Sequence, residues 1–110
     1  MEFSKYQSQA HTTSLNTKIG NDSLIYPVLG LSNESGEVAG KFKKLFRDKN
    51  GIVDDEFKKI ITGELGDVLW YLSEICSQLN ISLDDIANHN IEKLFDRKNR
   101  NVIKGDGDIR

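Results

Sequence analysis

The sequence is short of the residues and runs that mark several large classes of protein. Its 110 residues include one cysteine, Cys76, which excludes an internal disulfide and fits a reducing compartment. No apolar run reaches the length of a membrane span, and no apolar signal core stands at the N-terminus. The formal charge of −2 comes from interspersed charges of both signs, so no nucleic-acid-binding face is predicted. We therefore expect a cytoplasmic protein with no membrane or nucleic-acid partner.

Proline is almost absent, and the residues that are frequent favour helices. Pro27 is the single proline, while leucine, isoleucine, lysine and glutamate are common. The pattern predicts one all-α domain over residues 1–110, a four-helix bundle in which 102–110 forms a flexible, glycine-containing tail. The predicted helices cover Phe3 to Ser14, Pro27 to Phe46 or Arg47, Asp54 or Asp55 to Leu79, and a segment from the capping box at Ser82 to Asn99. Asn80 is predicted to take the left-handed stop position after the third helix.

The third predicted helix carries apolar side chains on nearly every side. Ile60, Val68, Trp70 and Ile75 point in different directions around it, and a helix that is apolar all round is buried all round. Three short neighbours cannot cover it completely, so a second subunit is expected to do so. The sequence therefore predicts a homodimer or homotetramer. On the helical wheel Trp70 points away from the acidic residues, which assigns it to the core or to a subunit interface.

Two segments share one pattern of carboxylate, two residues, carboxylate and valine: Glu34 to Val38 and Glu64 to Val68. Residues three apart on a helix lie on the same face, one turn along. On a wheel centred on each valine, Glu34 and Glu64 fall about 40° from the apolar stripe, and Glu37 and Asp67 fall about 100° from it. The first acid of each pair is therefore predicted to enter the apolar seam, and the second to lie at its edge.

Carboxylates placed in this way need a counter-charge, because buried like charges neither solvate nor relieve one another. Ligands that are all oxygen, with no histidine or thiol beside them, suit Mg²⁺ or, alternatively, Mn²⁺. Magnesium bridges phosphate oxygens, so the pattern points to phosphate-ester or anhydride chemistry. A single pair of this kind is usually a solvated helix face, but two pairs in matching register are harder to explain so. Gly36 and Gly66, one in each pair, are explained either by close approach of the helices or a ligand, or as ordinary imperfections.

A resemblance to a known family rests on these two motifs and their surroundings. The segments Gly30-Leu31-Ser32-Asn33-Glu34-Ser35-Gly36-Glu37-Val38 and Glu64-Leu65-Gly66-Asp67-Val68-Leu69-Trp70-Tyr71-Leu72 resemble the MazG-like nucleoside triphosphate pyrophosphohydrolases. The ending, from Asn90 to Arg110, is similar to that of short, single-domain, phage-type members. The resemblance implies that Glu34, Glu37, Glu64 and Asp67 bind magnesium. It also implies hydrolysis between the α and β phosphates, giving a monophosphate and pyrophosphate.

Six further residues are predicted to bind the triphosphate substrate: Lys41, Lys44, Tyr71, Asn90, Lys93 and Arg97. Tyr71 follows Asp67 by four residues and shares its face, although a core tyrosine explains it equally well. The lysines either neutralise phosphate charge or pair with the glutamates. The last three share one face of the fourth helix and match family positions that face the pocket. His11 and His89 are interpreted as surface residues rather than ligands.

The predicted mechanism is metal-assisted hydrolysis without a covalent intermediate. One or two magnesium ions bridge the carboxylates and the triphosphate and acidify a bound water. Glu37, at the edge of the site, is the preferred catalytic base that orients this water, and a purely ligating role for it stays open. Two alternatives remain: a related hydrolase of the phosphoribosyl-ATP or dUTP type, and a non-catalytic helical interaction protein with a vestigial metal site.

Overall fold

The computed structural model describes all 110 residues and contains four helices and no β-strand. The helices are α1 (Phe3–His11), α2 (Ile25–Lys49), α3 (Asp55–Gln78) and α4 (Leu83–Asn99). The loop between α1 and α2 carries one isolated backbone bridge, between Ile19 and Asp22. No helix combines the length and the apolar character that crossing a bilayer requires. The prediction of an all-α chain with four helices is confirmed.

The first helix is shorter than predicted because two threonines compete for its last carbonyls. α1 ends at His11, not at Ser14. The hydroxyls of Thr12 and Thr13 donate to backbone carbonyls three residues earlier, at 2.6 and 2.7 Å. Short hydroxyl side chains that bond to the backbone in this way offer it an alternative to the helical ladder. The chain therefore leaves α1 early and begins the long loop towards α2.

The second helix is longer than predicted at both ends. It begins at Ile25 rather than Pro27. Immediately before this start, the Asp22 carboxylate accepts a hydrogen bond from the backbone amide of Leu24 at 2.7 Å. It continues to Lys49 and stops where Asn50 adopts a left-handed φ of 54°. Asparagine and glycine tolerate this conformation, which ends many helices. Pro27 consequently lies inside the first turn of α2, where its missing N–H has no helical partner to lose.

The third and fourth helices have the caps that the sequence predicts. The Asp54 carboxylate accepts from the amide of Phe57 at 2.8 Å, and the Ser82 hydroxyl accepts from the amide of Asp85 at 3.4 Å. Both bonds satisfy amides that have no partner within the helix. Asn80 has a φ of 60°, which confirms it as the left-handed residue after α3. These caps fix where each helix enters and therefore which side chains face its neighbours.

Helices α2 and α3 form an antiparallel hairpin that carries most of the packing. The ring of Phe42 meets the ring of Phe57 edge to face, with centroids 5.1 Å apart, and Gly30 lies against the ring of Tyr71. Residues later in α2 thus meet residues earlier in α3. Leu45 and Phe57 are among the few buried apolar side chains of this hairpin. This arrangement brings the middle of α2 opposite the middle of α3.

Helix α1 packs against α3 and is joined to the turn that precedes α4. The Gln7 side chain donates to the carbonyl of Ile81 and accepts from the amide of Leu83, each at 2.8 Å. It also donates to the hydroxyl of Ser77 at 3.3 Å. Helix α4 packs against α1. One glutamine therefore holds the first helix, the end of α3 and the start of α4 together.

A single chain leaves much of its apolar surface uncovered. Only eight of the 110 residues are buried, while Phe46 is 68% and Leu65 is 52% exposed. The accessible surface is 8157 Å², whereas a compact monomer of this mass exposes about 6,100 Å². The radius of gyration is 17.0 Å, against about 13 Å for a compact domain of this length. The α2–α3 hairpin is therefore an extended surface rather than the inside of a closed core.

Candidate metal centre

Three of the four predicted acidic ligands converge where α2 and α3 face each other. Carboxylate oxygens of Glu34, Glu64 and Asp67 all lie within 4.8 Å of one another. Glu37 is exposed and lies outside this group. Glu34 and Glu64 are partly buried, whereas Glu37 and Asp67 are exposed, which agrees with their predicted places on the helical wheel. The antiparallel hairpin therefore assembles an all-oxygen cluster from two helices.

The charge on Glu34 is unfavourable in this setting. Burial, followed by the charges of Asp67 and Glu64, raises the pKa of the Glu34 carboxyl above its ordinary value. Glu37 acts in the same direction from its exposed position. A carboxyl with a raised pKa in the folded state adds stability below its unfolded pKa and loses that stability as the pH rises through the folded pKa. At neutral pH the cluster is therefore strained by repulsion, which a bound cation would relieve.

Lys41 supplies part of the missing positive charge. Its ammonium nitrogen lies 3.6 Å from a carboxylate oxygen of Glu64, and both side chains are partly buried. This is the pairing with a glutamate that the sequence left open, although the glutamate belongs to the opposite helix. A flexible lysine can leave such a contact and turn to a phosphate without rearranging the backbone.

An open cavity of about 390 Å³ lies beside the acids, lined by Thr13, Glu34, Asp67, Trp70 and Tyr71. The indole N–H of Trp70 donates to the hydroxyl of Thr13 at 2.8 Å, and its ring meets the Tyr71 ring edge to face at 5.0 Å. Burial, followed by the neighbouring hydroxyl of Tyr26, raises the pKa of the Tyr71 hydroxyl, and the charges of Glu34 and Asp67 act in the same direction. The hydroxyl therefore keeps its proton at neutral pH and can donate to an anionic ligand.

The predicted position of Trp70 is wrong. Its ring lines the same cavity as Glu34 and Asp67 instead of pointing away from the acids. Trp70 follows Asp67 by three residues, so the two side chains share one side of α3. The prediction used the angle of Trp70 from the centre of the apolar stripe. It did not use the angle between Trp70 and Asp67, which is small.

The first helix and its loop add residues that the sequence patterns did not reveal. Tyr6 of α1 is close enough for burial and the charge of Asp67 to raise its pKa. Glu74 is buried, and its carboxylate lies 3.1 Å from the Nδ1 of His11 and accepts from the Gln78 amide at 2.9 Å. Glu74 follows Asp67 by seven residues, a spacing that puts both on one face of α3. That spacing could have drawn attention to Glu74, whereas no local signal identifies His11 as its partner.

The close approach of α2 and α3 occurs at Gly30, not at Gly36 or Gly66. A Cβ atom on Gly30 would lie 2.1 Å from a ring carbon of Tyr71. Gly36 and Gly66 face open space within the chain. The absence of a side chain at Gly30 therefore lets the Tyr71 ring approach α2 closely, beside the acids.

Comparison with known protein families agrees with this geometry. The profile of the MazG nucleotide pyrophosphohydrolase domain matches residues 26–102, which span nearly all of α2 and the whole of α3 and α4. The chain belongs to this family. MazG domains are metal-dependent, and the Glu34, Glu64 and Asp67 cluster is a group that can hold a metal ion.

A phage protein is similar to this MazG chain over nearly its whole length. The Gene 37 protein of Mycobacterium phage L5 is 39% identical over 109 residues, which cover 96% of each chain. The likeness therefore extends beyond the matched domain at both ends. No solved structure matches the chain.

The remaining MazG substrate positions predicted from the sequence are not brought to the cluster within one chain. Lys44 lines a separate cavity between the end of α2 and the start of α3. Asn90, Lys93 and Arg97 lie on α4, which packs against α1, and none of them lines the cavity beside the acids. Lys93 and Arg97 contact the C-terminal tail instead. Their assignment to substrate stays a prediction that one chain alone does not fulfil.

Proposed function

We propose that this protein hydrolyses a ribo- or deoxyribonucleoside triphosphate between the α and β phosphates, releasing a nucleoside monophosphate and pyrophosphate. The observation that carries the proposal is the convergence of Glu34, Glu64 and Asp67 within 4.8 Å in a chain of the MazG family. Three carboxylates so close together repel one another, and burial together with this repulsion raises the pKa of Glu34. A site that maintains such repulsion is explained by a cationic ligand.

The donor set fits Mg²⁺, with Mn²⁺ as an alternative. Every donor in the cluster is a carboxylate oxygen, the ligand that hard divalent cations prefer. We propose that Glu34, Glu64 and Asp67 hold the ion and that Glu37, one turn from Glu34, joins them as a fourth ligand or as the base. When bound, the ion would neutralise phosphate charge and make the attacking water more acidic.

The residues of the chain have separate tasks in this proposal. The protonated hydroxyl of Tyr71 donates to a phosphate oxygen, and Lys41 turns from Glu64 to neutralise phosphate charge. Trp70, whose side chain lines the cavity, offers the nucleobase of the substrate an aromatic surface for stacking. If Glu37, which is exposed, serves as the base rather than as a fourth ligand, it accepts the proton of the water that attacks the α phosphorus, while pyrophosphate leaves.

The products of the reaction test the proposal. With magnesium, a panel of common nucleoside triphosphates that includes dUTP, together with phosphoribosyl-ATP, is incubated with the protein and separated by ion-exchange chromatography. We expect monophosphate and pyrophosphate in equal amounts from at least one substrate, because the proposed attack is on the α phosphorus. The substrate that is hydrolysed fastest also shows whether the protein is a hydrolase of the dUTP type, of the phosphoribosyl-ATP type, or one that acts on other nucleoside triphosphates. Diphosphate with orthophosphate, or no product from any nucleotide, would count against the proposal, and the second result would favour a vestigial site.

We also propose that the protein works as a homodimer or homotetramer. The exposed faces of Phe46, Ile60 and Leu65 and the extended shape of a single chain are the features that a second copy would cover. Such an assembly can bring Lys93 and Arg97 of one copy to the acids of another. We expect light scattering to give a mass of two or four chains at micromolar concentration. A single-chain mass at every concentration would contradict this.

A further inference from the structure

The C-terminal tail is folded back onto α4 and closed by its last residue. The guanidinium of Arg110 donates to the carbonyl of Val102 at 3.1 Å and to that of Ile103 at 2.9 Å. It also donates to the carbonyl of Gly107. The terminal side chain thereby fastens the tail into a loop. Its charge is engaged inside this loop and is not free for a ligand.

The loop places one carboxylate on the two cations of α4 that the sequence assigned to substrate. An oxygen of Asp108 lies 2.5 Å from the ammonium of Lys93 and 3.5 Å from the guanidinium of Arg97. Arg97 also donates to the backbone carbonyl of Asp108. The side chain of Arg97 is only 7% exposed, and a buried guanidinium is costly unless acceptors and a negative charge surround it. In this structure Asp108 provides both.

The contact lies at the surface of the protein, on a segment outside the helices. The Asp108 side chain is 75% exposed, and the tail contains no regular secondary structure. Lys93 and Arg97 hold the pKa of the Asp108 carboxyl below its ordinary value, so the carboxylate is fully charged at neutral pH. A phosphate group offers the same acceptor oxygens with more negative charge, and a lysine beside an arginine is a common phosphate-binding pair.

We propose that Asp108 is an internal competitor for phosphate: in the resting chain its carboxylate occupies the Lys93–Arg97 pair, and a nucleotide phosphate or pyrophosphate displaces it and releases the tail. The inference rests on the proposed function, which supplies the phosphate ligand. It adds a means of regulation, because the affinity for phosphate then depends on how firmly the tail is held. Asp106 provides a matched control, since it lies in the same loop and its carboxylate accepts only from the neighbouring amide of Gly107.

Binding of pyrophosphate to the full-length protein without metal tests the competition directly. Calorimetry in the presence of a chelator should show that Asp108→Asn binds pyrophosphate about two- to fivefold more tightly than the native chain, the range that corresponds to loss of one exposed ion pair. Asp106→Asn should bind like the native chain. Adding Lys93→Gln to Asp108→Asn should abolish the gain. Equal or weaker binding by Asp108→Asn, or a gain that survives Lys93→Gln, would overturn the proposal.

Release of the tail can be followed by trypsin cleavage after Lys104, which is exposed. Cleavage after Lys18, exposed in the α1–α2 loop, serves as the internal reference. We expect pyrophosphate to accelerate cleavage after Lys104 relative to Lys18, and we expect Lys93→Gln to be cleaved there faster without any ligand. This second variant keeps the test decisive if Asp108→Asn folds poorly. Cleavage after Lys104 that neither pyrophosphate nor Lys93→Gln alters would show that the tail is not released.

These measurements fail separately from the proposed function. If no nucleotide is hydrolysed but Asp108→Asn still binds pyrophosphate more tightly, the enzymatic proposal is wrong and the competition stands. If hydrolysis is observed and Asp108→Asn changes nothing, the competition is wrong and the enzyme stands.

Discussion

Replacing Glu34 by glutamine is expected to lower nucleotide turnover by about two to three orders of magnitude while leaving the metal-free protein no less stable. Glutamine keeps the shape of the side chain but removes one charged ligand from the cluster. Glu34 has no ion-pair or hydrogen-bond partner in the structure, and burial together with Asp67 and Glu64 raises its pKa. Removing its charge therefore relieves repulsion in the metal-free chain and weakens the site only when metal is present.

Thermal melts with and without magnesium, beside a pyrophosphate assay, measure both effects. The native melting temperature should rise with magnesium, and this rise should shrink in Glu34→Gln. Glu92→Gln, an exposed change on α4 away from the cluster, should behave as the native protein does. Glu64→Gln should also lose turnover, but its metal-free form gains less stability because the contact with Lys41 at 3.6 Å is lost. A Glu34→Gln protein that melts lower without metal and still hydrolyses nucleotide would refute the carboxylate cluster as a metal site.

Replacing Gly30 by alanine is expected to destabilise the protein and to displace Tyr71, which lines the cavity beside the acids. The new methyl group would lie 2.1 Å from a ring carbon of Tyr71, so the ring must move away from α2. Overpacking of this kind costs about 1–3 kcal/mol, which offsets or exceeds the gain of about 1 kcal/mol from replacing glycine in a helix. Turnover should fall as well, because the displaced ring lines the cavity beside Glu34 and Asp67 and carries the hydroxyl that is proposed to bind phosphate.

Gly40→Ala on the same helix is the matched control. A methyl group there meets nothing within 4 Å, so this variant should be as stable as the native chain or more stable by about 1 kcal/mol. The difference between the two melting temperatures isolates the contact with Tyr71. If both variants melt together and keep full activity, Gly30 does not position the tyrosine.

Helix identity followed from local chemistry, and helix ends did so only in part. Asp54, Asn80 and Ser82 were predicted as caps or stops, and the structure confirms each, because a cap depends on residues within one turn. The end of α1 was misplaced because the hydroxyls of Thr12 and Thr13 bond to the backbone and shorten the helix. The pattern of apolar residues gives no sign that these hydroxyls compete with backbone amides for the last carbonyls of α1.

In the candidate site, the features that depend on a single helix could be predicted, and those that depend on contacts between separate parts of the chain could not. The burial of Glu34 and Glu64, and the exposure of Glu37 and Asp67, could be predicted because a wheel describes one helix at a time. The hydrogen bond that Trp70 donates to Thr13 could not. It depends on where the long loop after α1 returns to α3. No repeating pattern of apolar residues in the sequence predicts the path of a loop.

The bonds of Gln7 have a consequence for the order in which the protein folds. The glutamine joins α1 to Ile81 and Leu83, which follow it in the chain by 74 and 76 positions. A contact across so long a span forms only after the entropy of closing the intervening loop has been lost, whereas the α2–α3 hairpin closes over a much shorter one. During synthesis α1 leaves the ribosome before the other three helices, yet the partners of Gln7 are absent until the turn before α4 has emerged. Tyr6 and Thr13 reach the acids only with α1 and its loop, so the hairpin is expected to form first and the cavity wall to be completed last.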